Sequence, residues 1–172
     1  MKTLPFLFFA APLFVSCQIQ GLTSDYSYLS AEGKKRIVKY TGAIDSISDY
    51  SKVYDVTAEQ VKDFISNHDE VLIYNYTPYC RYKYCISPKE LISTCKKQKV
   101  EVLIISNIYD DILVALNDEF PILMINTEVY GTKWRSKYID LFYKDLKNHI
   151  LGIERQLSTR MSTIVNEFVG NC

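Results

Sequence analysis

Residues 70–80 read Glu70-Val71-Leu72-Ile73-Tyr74-Asn75-Tyr76-Thr77-Pro78-Tyr79-Cys80. The apolar run from Val71 to Tyr76 is short and rich in β-branched and aromatic residues, so it predicts a strand buried on both faces. A second run of the same kind follows at Val100–Ser106 and a third at Pro121–Asn126. Between the first two, Lys89–Lys99 places Leu91, Ile92 and Cys95 at helical spacing. Before the first, Thr57 and Gln60 have the spacing of a capping box, and Val61, Phe64 and Ile65 form the apolar stripe of a helix ending near Asn67-His68.

Extending outward, Lys52–Val56 and Lys35–Thr41 are strand candidates, and Asp110–Asn117 is a short helix candidate. Glu128–Lys133, with Gly131, predicts a hairpin returning on the third buried strand. Trp134, Tyr138, Leu141, Phe142 and Leu146 mark an amphipathic helix. From residue 52 to 151 the order is β-α-β-α-β-α-β-β-α. A strand–helix–strand start favours parallel pairing and the final hairpin adds an antiparallel part. The expected fold class is α/β: a mixed sheet of four to five strands with helices on both faces. Residues 152–172 suggest a further helical extension through Ile153, Leu157, Met161, Ile164, Val165 and Phe168.

The chain has 172 residues, enough for one domain with a sizeable core. Twenty Lys and Arg balance twenty Asp and Glu, so there is no basic field to draw nucleic acid. Its start carries one positive residue, Lys2, and then a mostly apolar run from Leu4 to Val15 that Pro5 and Pro12 interrupt. That run is too short to span a bilayer and fits the core of a secretory signal. It ends at Ser16-Cys17. A small residue followed by Cys resembles the lipobox of bacterial lipoproteins, with Phe14 where Leu is preferred. The resemblance implies a signal peptide over 1–16, removal of that peptide, acylation of Cys17, and an anchor in a membrane of the cell envelope, periplasmic side. Residues 17–51 then read as lipidated Cys, tether and N-terminal extension. The polar stretch 18–29 holds the domain off the membrane, and Cys80, Cys85, Cys95 and Cys172 lie where disulfides persist.

Cys80 is the residue most suited to chemistry. It follows a predicted strand and precedes a predicted helix, whose unpaired N–H groups favour a thiolate. Arg81 and Lys83 add positive charge in the same direction. Cys95, inside a helix, reads as a buried small hydrophobe. His68 and His149 lack metal-ligand spacing and read as surface or capping histidines, and nothing in the sequence calls for a cofactor. The tyrosines from Tyr74 to Tyr84 suit strand-face packing or an aromatic rim for a peptide.

These residues resemble the thioredoxin superfamily over about 52–151. The likeness rests on the strand leading into Thr77-Pro78-Tyr79-Cys80, on Pro88 eight residues after Cys80, and on Phe120-Pro121 heading a later strand. It implies a nucleophilic Cys80, a helix-kinking Pro88, and a cis-proline at Pro121 that lies against the cysteine and holds a substrate backbone. The family's second cysteine position is Lys83 here, and Cys85 makes the spacing Cys-x4-Cys. In one regular helix, side chains five residues apart point roughly 140° from each other. Their Cα atoms would exceed the usual disulfide reach of about 7 Å. A Cys80–Cys85 bond therefore needs a non-helical loop. Ser87-Pro88-Lys89-Glu90, a capping box with Pro at the first helical position, allows one by starting the helix at Pro88. Thr-Pro-Tyr-Cys with Cys85 is also similar to one branch of the peroxiredoxins, although Ile73 stands where that branch has a proline.

Three functions follow as expectations. The first is a membrane-anchored thiol–disulfide oxidoreductase acting on protein or peptide thiols and disulfides, with Cys80 attacking and Cys85 resolving. The second is a redox-inactive binding module that keeps the fold and uses Cys80–Cys85 as a structural disulfide. The third is a thiol peroxidase.

Overall fold

The computed structural model of the chain describes residues 21–80 and 85–150. The expected signal peptide (1–16), Cys17, Arg81, Lys83, the C-terminal extension (152–172) and Cys172 lie outside the described residues.

Five strands, β1 (Ile37–Lys39), β2 (Val53–Val56), β3 (Val71–Tyr76), β4 (Glu101–Ser106) and β5 (Ile122–Ile125), form one sheet in the order β1-β2-β5-β4-β3. All four pairings are parallel. Four α-helices, α1 (Ala31–Lys35), α2 (Ala58–Ser66), α3 (Pro88–Lys97) and α4 (Arg135–Ile150), and three short 3-10 turns complete the described chain. The α/β architecture is as expected; the antiparallel part is not. β5 is hydrogen-bonded to β2 on one side and β4 on the other, which leaves no edge for a hairpin partner. Residues after β5 turn instead. Asn126 Oδ1 accepts from the Glu128 N–H, and the Tyr130 and Gly131 N–H groups donate to the Thr127 and Glu128 carbonyls. Gly131 takes φ +58°, a conformation glycine adopts without steric cost.

The sheet is covered on both faces. On one face, α2 and α4 bring Val61, Phe64, Tyr138, Phe142 and Leu146 onto Tyr54, Val56, Leu103, Ile105, Leu123 and Ile125. On the other, Val53, Ile104, Ile122 and Met124 meet Tyr109 and Ile112 from the β4–β5 connection. There α3 adds Leu91 and Cys95 beside Leu72, Tyr74 and Val102. This explains why β2 and β5 are buried at every position. β3 is different: it is an edge strand and half-buried, not buried on both faces.

Several local signals act as their chemistry requires. The capping box forms: the Gln60 N–H donates to Thr57 Oγ1, and the Thr57 N–H donates to Gln60 Oε1 at 2.9 Å. Gln60 Nε2 also donates to the Tyr40 and Gly42 carbonyls, fastening the β1–β2 connection to α2. α3 starts at Pro88 with Ser87 as its N-cap, although the Ser87 side chain makes no cap bond. Asp110–Asn117 forms only a 3-10 turn, Ile112–Ala115, entered through Asp111 at φ +54°.

The polar stretch 18–29, expected as a tether, is part of the domain from Gly21 on. Thr23 bridges to Trp134 in antiparallel fashion. The Ser24 N–H donates to the Lys133 carbonyl, the Arg135 N–H to the Leu22 carbonyl, and the Tyr109 N–H to the Ser24 carbonyl. Asp25 is buried and accepts from the Gly21 N–H and the Thr23 hydroxyl. These bonds satisfy the segment's backbone against the domain, so a freely solvated tether is excluded there.

Candidate functional site

In a parallel sheet every strand ends at the same side, and open α/β sheets receive ligands beyond those carboxyl ends. Two clefts and a polar network lie at that side in this chain.

The first cleft, about 440 Å³, is lined by Tyr74 to Pro78, Cys80, and Cys85 to Pro88. Cys80 and Cys85 are disulfide-bonded with Cα atoms 6.1 Å apart, and each is partly exposed. α3 begins only at Pro88, so neither cysteine belongs to it. Cys80 stands eight residues before Pro88 in the chain, and its bond to Cys85 places it in the cleft that Ser87 and Pro88 also line. Pro88 occupies the first helical position and kinks nothing.

Pro121 is not brought to Cys80. Tyr76 pairs with Ser106, and Ser106 pairs with Met124, so Tyr76 and Met124 share one level of the sheet. Cys80 lies beyond that level toward the carboxyl ends. Pro121 lies before it, at the amino ends, where it lines a separate cleft with Phe120, Ile92, Lys96 and Val100. The parallel direction of β5 causes this: reversing β5 would carry Pro121 to the cysteine side. No cis peptide occurs among the described residues, so Phe120-Pro121 is trans.

The tyrosines divide. Tyr74 and Tyr76 pack on the sheet face, and the Tyr74 hydroxyl donates to the Ile86 carbonyl at 2.9 Å. Burial pushes both phenols above their ordinary range. Tyr79 is exposed. Cys95 is a free, fully buried thiol whose pKa burial raises, and it packs as a hydrophobe. His68 caps the end of α2: its ring lies over Phe64 with centroids 4.1 Å apart, and Nδ1 is 2.8 Å from the Phe64 carbonyl. Among the described residues no cluster of His, Cys, Asp and Glu is arranged to hold a metal.

Sequence reading missed the rest of this side of the sheet. A second cleft of about 290 Å³ is lined by Tyr26, Lys39, Asp55, Tyr109, Glu128 and Lys133, among others. Asp55 is 6% exposed, and its carboxyl is pushed up to about 7, chiefly by burial, with the Tyr109 hydrogen bond acting in the opposite direction. Lys39 and Glu128 form an ion pair at 2.7 Å at the rim. Between the two clefts, Asn107 joins three elements. Its Nδ2 donates to Asn75 Oδ1, its Oδ1 accepts from Arg135 Nε at 2.8 Å, and its carbonyl accepts from the Tyr138 hydroxyl. Arg135 Nη1 donates in turn to the Tyr79 hydroxyl at 3.0 Å. A buried strand residue with a lone acidic side chain, Asp55 in Val53-Tyr54-Asp55-Val56, was the available signal.

No protein-family model, curated protein or solved structure matches this chain.

Proposed function

We propose that this chain is a lipid-anchored domain of the bacterial cell envelope that works as a binding module, with Cys80–Cys85 as a structural staple. The anchor is Cys17, after removal of residues 1–16. The observation that carries the staple reading is the Cys80–Cys85 bond itself, formed between two cysteines that both precede α3 in the chain. The position of Pro121 at the opposite side supports it, because a substrate chain held there does not reach the disulfide.

One observation favours the thioredoxin-like oxidoreductase as the second reading: both cysteines line an open cleft and are partly exposed, so another thiolate can approach them. In that reading another dithiol first reduces the Cys80–Cys85 bond; the Cys80 thiolate then attacks a substrate disulfide, a mixed disulfide forms, and Cys85 displaces the reduced product as the Cys80–Cys85 bond re-forms.

Catalysed reduction of insulin, with Cys80→Ser as control, separates the two. The staple reading expects equal rates for parent and variant, and a reduction potential below about −300 mV for the pair. Faster turnover by the parent, with a pair reducible near the envelope poise, overturns it. Acyl mass on the N-terminal peptide, lost in Cys17→Ser, tests the anchor.

A further inference from the structure

We infer that the carboxyl side of the sheet lies against the membrane, with Trp134 seated in the interfacial layer of the bilayer. The inference deepens the lipid-anchor reading and rests on it.

Two independent features meet at one place. The first is where the chain enters the domain. Gly21 is the first described residue, and a Cβ placed on it would stand 3.7 Å from both the Arg135 guanidinium and the Tyr79 hydroxyl. Leu22 and Thr23 are fastened to Arg135 and Trp134 by a backbone bond and a bridge. Cys17 precedes Gly21 by four residues, which span at most about 14 Å when extended. An acylated Cys17 therefore cannot leave this side of the domain far from the lipid surface. The tether is too short to let the domain turn its other side to the membrane.

The second feature is what the surface there offers. Trp134 is 53% exposed, Leu22 51% and Tyr79 37%. Lys133 and Arg135 flank the tryptophan. An exposed tryptophan and tyrosine beside cations match the headgroup layer, where amphipathic rings settle and basic side chains meet anionic lipid. Large apolar side chains left in water beside an anchor point call for an occupant, and the anchor supplies it.

Trp134 is the sole tryptophan of the chain, so its fluorescence reports this position alone. The full-length lipoprotein is reconstituted in vesicles of zwitterionic and anionic lipid, with and without brominated acyl chains, after mass spectrometry of the N-terminal peptide. A folded reference, Trp134→Phe with Lys97→Trp, moves the reporter to the exposed end of α3, toward the amino side of the sheet. The expected result is acyl mass on Cys17, strong loss of Trp134 emission in brominated vesicles, and little loss for the reference. Acylated protein whose Trp134 is unquenched, or quenched no more than the reference, overturns the docking while leaving the anchor intact. Shielding from acrylamide without bromolipid quenching marks a protein occupant and overturns it too. A peptide without acyl mass overturns the anchor itself and the docking with it.

Discussion

The Tyr109 hydroxyl donates to Asp55 Oδ1 at 2.6 Å, joining the end of β4 to β2 across the intervening strand β5. Both side chains are buried. Burial raises the Tyr109 phenol well above its ordinary range, and the neighbouring Asp55 acts in the same direction, so it remains a donor at every pH the protein meets.

Asp55 makes stability depend on pH. Burial holds its folded pKa at about 7, well above the ordinary carboxyl value of 3.8. The folded chain keeps a proton that the unfolded chain has released, so stability falls as pH rises from about 4 to about 7 and levels off above. A shift of this size corresponds to about 4 kcal/mol. Urea unfolding across that range should reveal the slope, and Asp55→Asn, which keeps an acceptor for Tyr109, should flatten it. An unchanged slope in the variant would assign it to another group.

Removal of the disulfide has a bounded cost. Cys80 and Cys85 are five positions apart, and closing so short a loop restricts the unfolded chain by about 2 kcal/mol. Cys80→Ser with Cys85→Ser should lower the unfolding free energy by that amount and leave far-UV circular dichroism intact. Loss of the fold in the double variant would contradict a local staple.

Gln60 serves three partners at once, the Thr57 backbone and the Tyr40 and Gly42 carbonyls. Gln60→Ala should cost about 1–3 kcal/mol, whereas Thr57→Ala should cost about 1 kcal/mol. Thermal unfolding of the two variants gives the order. The reverse order would mean that the links to residues 40–42 contribute nothing.

Asn107 is the hub between β3, β4 and α4. Asn107→Ala leaves the Arg135 Nε without its acceptor and Asn75 without its donor, at a cost of about 1–3 kcal/mol. Hydrogen exchange at residues 77–80 should quicken in Asn107→Ala, because Tyr79 is held through Arg135. Unaltered exchange there would show that the arginine bridge does not restrain the cysteine loop.

How far the sequence carried this structure depends on the range of the signal. Thr57 with Gln60, Pro88 at the start of α3, and Tyr138, Phe142 and Leu146 of α4 act within one or two turns and stand where their chemistry puts them, whereas Ser87 makes no cap bond and Trp134 precedes α4 and is exposed. The Val71–Tyr76, Glu101–Ser106 and Ile122–Ile125 runs were legible as strands because burial selects β-branched residues. Strand direction and neighbours were not legible. A period of two residues is the same in a parallel and an antiparallel strand, so Pro121 was expected beside Cys80 and stands at the other side. The site suffered for the same reason. Asp55 and Tyr109 are 54 residues apart, and Asn107 and Arg135 are 28, distances at which local pattern says nothing about contact.

The strand order bears on how the chain reaches its native state. β2 is followed in sequence by β3, yet two strands separate them, and β5, the last strand among the described residues, closes the gap. In the native sheet β1–β2 and β4–β3 share no hydrogen bonds with each other and are joined through β5 alone. The wedge that unites them depends on contacts remote in the chain, which slow folding. A chain lacking residues 122–125 would leave the facing edges of β2 and β4, covered in the intact sheet, without their hydrogen-bond partner.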